Sequence, residues 1–397
     1  MLLLDAPYVS EFLCGTAARL DQPVLDTDRA RAVACDRAAA DRLRFVDQAE
    51  FARRIGAGER VLANSENSLD LVLAAAAGGD LARQIEVCKD KARFREVTAC
   101  LYPDYRFARV TADGLGSFDP AGFPKPFVIK PSRGFFSLGV HVVGCDGQWP
   151  ATAATLERER ATMNAQYPES VVDAGEFIVE AVIQGDEYAI DVYYDAQGEP
   201  VITNILHHRF ASEDDVSDRL YYTSPDIIRT WLGPFAEAAR HIGRACGFHD
   251  FPMHLEVRVG ADGAILPIEA NPLRFAGWCV ADITAHAWGF NPYESYLADT
   301  RPNWPAILDA KDAAGEGDAV YAMVIGDLPS AIDGATVTRV NYDGFAALFD
   351  SVLELRRMDY TAYPVFAFVF ARAASGSMDR LAALTGADFT PLITTES

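Results

Sequence analysis

The chain has 397 residues, half of them hydrophobic and 23% charged, an ordinary globular composition with room for two or three domains. Its formal net charge of −22 argues against general binding to nucleic acid or anionic membrane, so an anionic substrate would need a local cluster of Lys, Arg and metal. The seven cysteines show no CxxC or zinc spacing, which argues against a disulfide framework and points to a reducing cytoplasm.

The opening MLLLDAPYVS has no basic n-region and only a brief apolar run, so it reads as a first strand and not as a signal peptide. No apolar stretch reaches membrane-spanning length. Strands are predicted at Leu2–Leu4, Pro23–Leu25, Phe45-Val46 and Arg60–Ala63, with helices at Glu11–Leu20, Arg29–Arg42 and Leu69–Ala76. That alternation predicts a small parallel α/β domain over residues 1–88. It holds no GxGxxG, so no dinucleotide is assigned to it.

From Ile85 the pattern changes. Lys89–Ala99 reads as a helix, followed by strands at Arg106–Thr111, Phe127–Pro131, Gly139–Val143, Glu176–Ile183, Glu187–Tyr194 and Pro200–His207. Their spacing predicts hairpins and an antiparallel sheet. Ser224–Cys246 reads as a long helix. The segment Ala310–Ala319, AKDAAGEGDA, has the composition of a linker. Beyond it, strands at Tyr321–Ile325 and Pro364–Phe370 and a helix over Met378–Leu384 form a small C-terminal α/β module, residues 311–397.

The segment HLEVRVGADGAILPIEAN, His254–Asn271, carries the most pointed signal. Asp262-Gly263 predicts a two-residue hairpin turn pairing Ala261 with Ala264, Glu256 with Glu269, and His254 with Asn271. One face then holds Leu255, Val257, Val259, Leu266, Ile268 and Ala270, and the other His254, Glu256, Arg258, Glu269 and Asn271. Like charges directly opposite each other destabilise a sheet. A dication between them removes the conflict, and two carboxylates plus an amide oxygen suit Mg²⁺. A solvated polar face accounts for the same residues.

Other segments are open to two readings. FVIKPSRGFFSLGV places Lys130 at a strand end before a loop with Ser132, Arg133, Gly134, Ser137 and Gly139, suited to phosphate oxygens but equally an ordinary hairpin loop. In EFIVEAVIQGDEYAID, Glu180 and Glu187 could accept from an adenine amino group and ribose hydroxyls, or simply face solvent. Arg274, in NPLRFAGW, could pair with a carboxylate or an acyl phosphate. His207, His208 and Arg209 close a strand ahead of the acidic loop Ser212–Asp218, where they could contact substrate, although polar residues facing solvent account for them more simply. His254 reads as a sheet residue or as a contact behind the metal ligands.

Taken together, in this order and spacing, these motifs resemble the ATP-grasp superfamily from Lys91 to about Trp278. The resemblance implies the ATP-grasp fold, of mixed α/β and α+β class. It comprises the N-terminal parallel domain 1–88, an ATP-grasp domain 89–310 with a lid at about 125–185, and the C-terminal module. It implies ATP and one or two Mg²⁺ ions, with Mn²⁺ as a substitute. Lys91 and Lys130 match the phosphate lysines, and Ser132–Gly139 the phosphate loop. Glu180, with Ala181 and Val182, matches the adenine hinge, Glu187 the ribose carboxylate, and Glu256, Glu269 and Asn271 the metal ligands.

Within that superfamily, IEANPLRFAGW looks like the carboxylate–amine ligases, including the bacilysin-type L-amino-acid ligases. Arg274 matches their substrate arginine, although it stands three residues after Asn271 where many members have two. The resemblance implies small carboxylate and amine substrates, joined through an acyl phosphate, with Arg274, Arg258 and Lys130 as catalytic groups. It also implies a cytoplasmic protein, with a homodimer as one form. Carboxylate–thiol ligation, carboxylation and a non-catalytic nucleotide-binding role stay open. No biotin-attachment motif is present.

Overall fold

The computed structural model describes residues 1–396 apart from 36, 135–138, 167–172 and 213–217, without the side chains of 161–166, 173 and 174. The N-terminal strands are β1 (Leu2–Leu3), β2 (Pro23–Leu25), β3 (Arg44–Val46) and β4 (Leu62–Ala63). They pair in parallel in the order β3-β2-β1-β4, as the alternating pattern predicts. Ser10, Thr27 and Asp47 start the helices Glu11–Arg19, Asp28–Ala34 and Gln48–Gly56 by accepting backbone N–H groups of the first turn. The chain order reverses between β1 and β4, the point where open parallel sheets hold ligands beyond the strands' carboxyl ends.

The helix expected over Lys89–Ala99 is Lys91–Thr98, and an unpredicted helix, Asp80–Lys89, ends just before it. Asp90 leaves helical geometry at ψ 100° and caps the second, accepting from Arg93 N–H at 3.0 Å. Asp80–Lys89 and Lys91–Thr98 are thus separate helices, and Lys91 opens the second.

Strands β5 (Phe107–Thr111), β6 (Phe127–Arg133), β7 (His141–Val143) and β8 (Asp173–Ala181) form an antiparallel sheet in the order β5-β8-β6-β7. With helix Trp149–Gln166 it encloses a small core of its own, including Phe127, Ile129, Trp149, Leu156, Phe177 and Val179. That core is separate from the large one under the other strands.

The central sheet contains β9 (Asp186–Tyr194), β10 (Pro200–Arg209), β11 (Leu220–Thr223), β12 (Phe251–Val259), β13 (Ile265–Pro272) and β14 (Ala319–Asp327). Further on come β15 (Val337–Val340), β16 (Ser351–Arg357), β17 (Val365–Ala374) and β18 (Ile393–Thr395). Among the described residues the order is β13-β12-β9-β10-β11-β14-β17-β16, antiparallel throughout, with β15 and β18 paired apart. The C-terminal strands therefore continue the central sheet.

The expected linker at Ala310–Ala319 is not one. Helix Trp304–Ala313 runs into it, and β14 starts at its end. Lys311 Nζ, bonded to Glu316 at 2.8 Å and to Tyr321 Oη at 2.7 Å, folds the intervening turn. A composition of small and charged residues suits a short capped helix as well as a linker. No helix among the described residues is long and apolar enough to cross a membrane.

Candidate active site

Glu256 faces Glu269 across β12 and β13, and His254 faces Asn271. The hairpin reaches this register by another route than the turn predicted. Its loop has three residues, Ala261–Gly263, closed by Gly260 N–H on Ala264 O at 2.9 Å, with Gly263 at φ +81°. A type I′ turn needs two positive φ values, and here Gly263 supplies the one. Pairing shifts by one residue, so that Arg258 faces Leu266, and a bulge at Ile268 restores it before Glu269. Leu266 consequently stands on the polar face, not the apolar one, and Ile268 belongs to the bulge.

Asn271 Nδ2 donates to Glu256 Oε1 at 3.2 Å. Burial, and then the charge of Glu269, push the Glu256 carboxyl well above the ordinary range, although a quarter of the side chain reaches the cleft surface. Among the described residues no three His, Cys, Asp or Glu side chains converge on a metal position. The candidate ligands are two carboxylates and an amide, all oxygen donors, and that set fits Mg²⁺ completed by phosphate and water oxygens.

Lys91 Nζ sits 3.2 Å from Glu269 Oε1 and donates to Gly134 O at 2.8 Å. The candidate phosphate lysine Lys91 thus bridges the candidate metal ligand Glu269 and the loop after β6. Lys130 Nζ lies 2.6 Å from Glu180 Oε1. Glu180 Oε2 accepts from Arg95 Nε at 2.8 Å and from Tyr105 Oη at 3.1 Å. Burial raises the Glu180 pKa, but Lys130 and Arg95 outweigh it and hold the carboxyl at about 2.

The expected adenine contacts look different in the structure. The Glu180 carboxylate is engaged by cations. Ala181 donates its N–H to Arg106 O at 2.9 Å and accepts from Tyr105 Oη at 2.8 Å. Val182, half-buried, follows directly after β8. Glu187 Oε1 lies 2.9 Å from His208 Nδ1, and Arg258 donates to its Oε2 at 3.1 Å and to Ile183 O at 2.7 Å. Arg258 is therefore tied to the ribose-carboxylate candidate and not to Glu256 or Glu269, the candidate metal ligands.

Ser132 is also reassigned. Its hydroxyl donates to Asp90 Oδ1 at 2.5 Å and accepts from Ala92 N–H at 3.3 Å, so it fixes the start of the Lys91 helix. Arg133 is half-buried, Gly134 is buried, and Gly139 takes φ +68°. Ser137 lies outside the described residues.

Arg274 Nε donates to Glu66 Oε1 at 2.9 Å, and Lys89 Nζ donates to Glu66 Oε2 at 2.6 Å. The charges of Glu256 and Glu269 also act on Arg274. Leu273 and Trp278, at φ +57° and +55°, give this loop left-handed turns on both sides of Arg274. The Trp278 ring meets Tyr363 and Phe368, each at 5.5 Å.

Sequence reading missed Arg95, Glu66 and Asp191. Asp191 is fully buried, and its Oδ1 lies 2.8 Å from both His254 Nδ1 and Ala276 N. It lies four residues after Glu187 and on the same strand face, a carboxylate within an apolar run, which was the available signal. His254 is buried between Asp191 and Glu256, whose Oε1 is 3.6 Å from His254 Nε2. The two strand-end histidines are not surface groups either. Both are buried, and His207 Nδ1 lies 2.6 Å from Tyr222 Oη.

The comparisons with known proteins bear on this arrangement. Residues 123–282 match the family model of the ATP-grasp domain. No curated protein matches the chain. Similar solved structures include the L-amino acid ligase from Bacillus licheniformis, with TM-score 0.67 and 15% identity, over 100% of this chain and 98% of that one. The N5-carboxyaminoimidazole ribonucleotide synthetase from Thermotoga maritima has TM-score 0.63 and 14% identity, over 100% and 99%. The biotin carboxylase domain of Hydrogenobacter thermophilus 2-oxoglutarate carboxylase, in complex with MgADP and bicarbonate, has TM-score 0.62 and 12% identity, over 100% and 90%. By this match residues 123–282 form an ATP-grasp domain, and the chain as a whole shares the fold of these solved structures.

Proposed function

We propose that the chain is an ATP-dependent ligase that joins a carboxylate to an amine through an acyl phosphate, releasing ADP and phosphate, with an amino acid among its substrates. The observation that carries this reading is the opposed pair Glu256 and Glu269, with Asn271 on one side and Lys91 3.2 Å from Glu269 on the other. Paired carboxylates and ammonium groups in one cleft suit a polyphosphate with its divalent ion. The likeness to the Bacillus licheniformis L-amino acid ligase supports the choice of substrates.

Glu256, Glu269 and Asn271 would hold Mg²⁺, one ion or two, which supplies charge neutralisation at the phosphates. Lys91 and Lys130 offer point charges to the phosphate oxygens from two different segments. Their positions reduce the task at the phosphoryl group to alignment and charge compensation. Arg274, held by Glu66, would grip the substrate carboxylate or the oxyanion formed when the amine attacks. Trp278 and Tyr363, both half-buried, border the same loop over the buried ring of Phe368 and would form an apolar wall for the substrate side chain.

The test is ADP release over pairs of small carboxylates and amines, amino acids included, with thiols and bicarbonate in parallel. ADP release that needs both an acid and an amine supports the proposal. Release that needs a thiol or bicarbonate instead, or none with any pair, refutes it. Lys130→Ala and Glu269→Ala should each lose ADP formation while remaining folded by circular dichroism.

A further inference from the structure

Arg95 lies in the second turn of helix Lys91–Thr98, with only 4% of its side chain exposed. Its guanidinium makes hydrogen bonds to two segments at once, β8 and β13. Nε donates to Glu180 Oε2 at 2.8 Å, Nη1 to Pro267 O at 2.5 Å, and Nη2 to Ile268 O at 3.3 Å. It also lies over the Tyr105 ring at 4.7 Å. Strand β13 is an edge strand, and Ile268 is its bulged residue, without a partner on β12. Arg95 thus supplies hydrogen bonds to backbone carbonyls at the irregular step immediately before Glu269.

These contacts close a ring. Lys130 pairs with Glu180, Glu180 with Arg95, and Arg95 with the bulge. The next residue, Glu269, pairs with Lys91, and Lys91 donates to Gly134 O, just beyond the strand that carries Lys130. Resting on the ligase reading above, we propose that Arg95 is a positioning residue. It ties the β13 bulge to Glu180 and so sets the Glu269 carboxylate in register with Lys91 and Lys130. It touches no reacting atom. Its planar fork is what the task needs, because a lysine can keep the charge beside Glu180 but cannot reach both carbonyls in the same geometry.

The test measures binding of a non-hydrolysable ATP analogue to the full chain by calorimetry, in EDTA and over a Mg²⁺ titration. Arg95→Lys should raise the Mg²⁺ midpoint by about tenfold or more, the usual cost of losing a group that orients a metal ligand. Its affinity for the analogue in EDTA should stay close to that of the wild type. General loosening of the fold would weaken both alike. Glu180→Gln loosens the same tie from the other end without removing Arg95. It should shift the Mg²⁺ midpoint by more than it shifts the EDTA affinity. A wild-type Mg²⁺ response left unmoved by both substitutions, or equal losses with and without Mg²⁺, overturns the role of Arg95 alone. Wild-type protein that binds no analogue, or binds it with no Mg²⁺ response, sinks the nucleotide-site reading and this inference with it.

Discussion

Arg274 Nε lies 2.9 Å from Glu66 Oε1, so the arginine that follows β13 is held by the segment just after β4. Lys89 takes the other carboxylate oxygen at 2.6 Å, and Ala63 N–H donates to Leu273 O at 2.7 Å beside it. The carboxyl end of β4 therefore fixes both the backbone and the side chain of the Arg274 loop. Glu66→Gln keeps the shape and removes the charge that aims the guanidinium. A hydrogen bond to a charged group contributes about 1.5–3 kcal/mol, so kcat/KM for the acid substrate should fall about tenfold or more. The KM for ATP should hold. Steady-state kinetics with each substrate varied in turn decides it, and an equal loss on ATP would contradict the assignment.

The same carboxylate sets part of the acid stability. Burial raises the pKa of Glu66, but Lys89 and Arg274 overcome that and hold it at about 2, against an ordinary 4.5. Glu180 is likewise held at about 2 by Lys130 and Arg95 against its burial. A folded-state pKa below the unfolded one contributes stability that is present above the unfolded value and is lost as pH falls through the folded value. Both contributions should therefore be complete above pH 4.5 and disappear between 4.5 and about 2. Thermal unfolding followed from neutral pH downward should show Tm falling through this window. In Glu66→Gln, Tm should start lower at pH 7 and fall less steeply. A variant that runs parallel to the wild type would show that Glu66 carries none of the slope.

What could be read from the sequence was what local rules encode. The pairing of Glu256 with Glu269 follows from strand alternation around a glycine turn, and it holds because a three-residue loop and a bulge at Ile268 cancel. Neither deviation has a signature in the residues alone, so Leu266 went to the wrong face. The N-terminal parallel strands followed from their alternation with helices. The partners of the buried charges did not. Glu180 meets Arg95, which is 85 positions away, and Arg274 meets Glu66 at a separation of 208. Ser132 has the composition of a phosphate loop, yet it spends its hydroxyl on Asp90. Such pairings depend on which segments the fold brings together, and the joining of β14, β17 and β16 to the central sheet was hidden for the same reason.

Glu256 stands in a desolvated place opposite another carboxylate, and the nearby ammonium of Lys91 pairs with Glu269 and not with Glu256. Glutamine has nearly the same shape, keeps an acceptor for Asn271 Nδ2, and carries no charge. In EDTA at neutral pH, Glu256→Gln should raise Tm, by an amount corresponding to about 1 kcal/mol or more, because it removes a buried like-charge contact. With ATP and Mg²⁺ the order should reverse, since ligand binding stabilises only the protein that can bind. Turnover should be lost. Differential scanning fluorimetry under both conditions checks the sign, and a destabilised variant in EDTA would show that Glu256 is already compensated within the protein.

Leu273 separates two demands that usually go together. It is fully buried, so its side chain contributes to the core, yet its φ of +57° belongs to the left-handed region that costs an ordinary residue about 1–2 kcal/mol. The turn is imposed from both sides. Leu273 N–H donates to Pro252 O at 2.9 Å, while Leu273 O accepts from Ala63 N–H. Leu273→Ala loses the packing and keeps the strained backbone. Leu273→Gly loses the same packing and slightly more, but adopts the turn without penalty. Both variants should be less stable than the wild type, and the glycine variant should be the more stable of the two by about 1 kcal/mol in urea unfolding. The usual order, with alanine above glycine, would mean that the loop relaxes to negative φ once the leucine is gone. Arg274 would then no longer be aimed by backbone geometry, and catalysis in the alanine variant should fall with it.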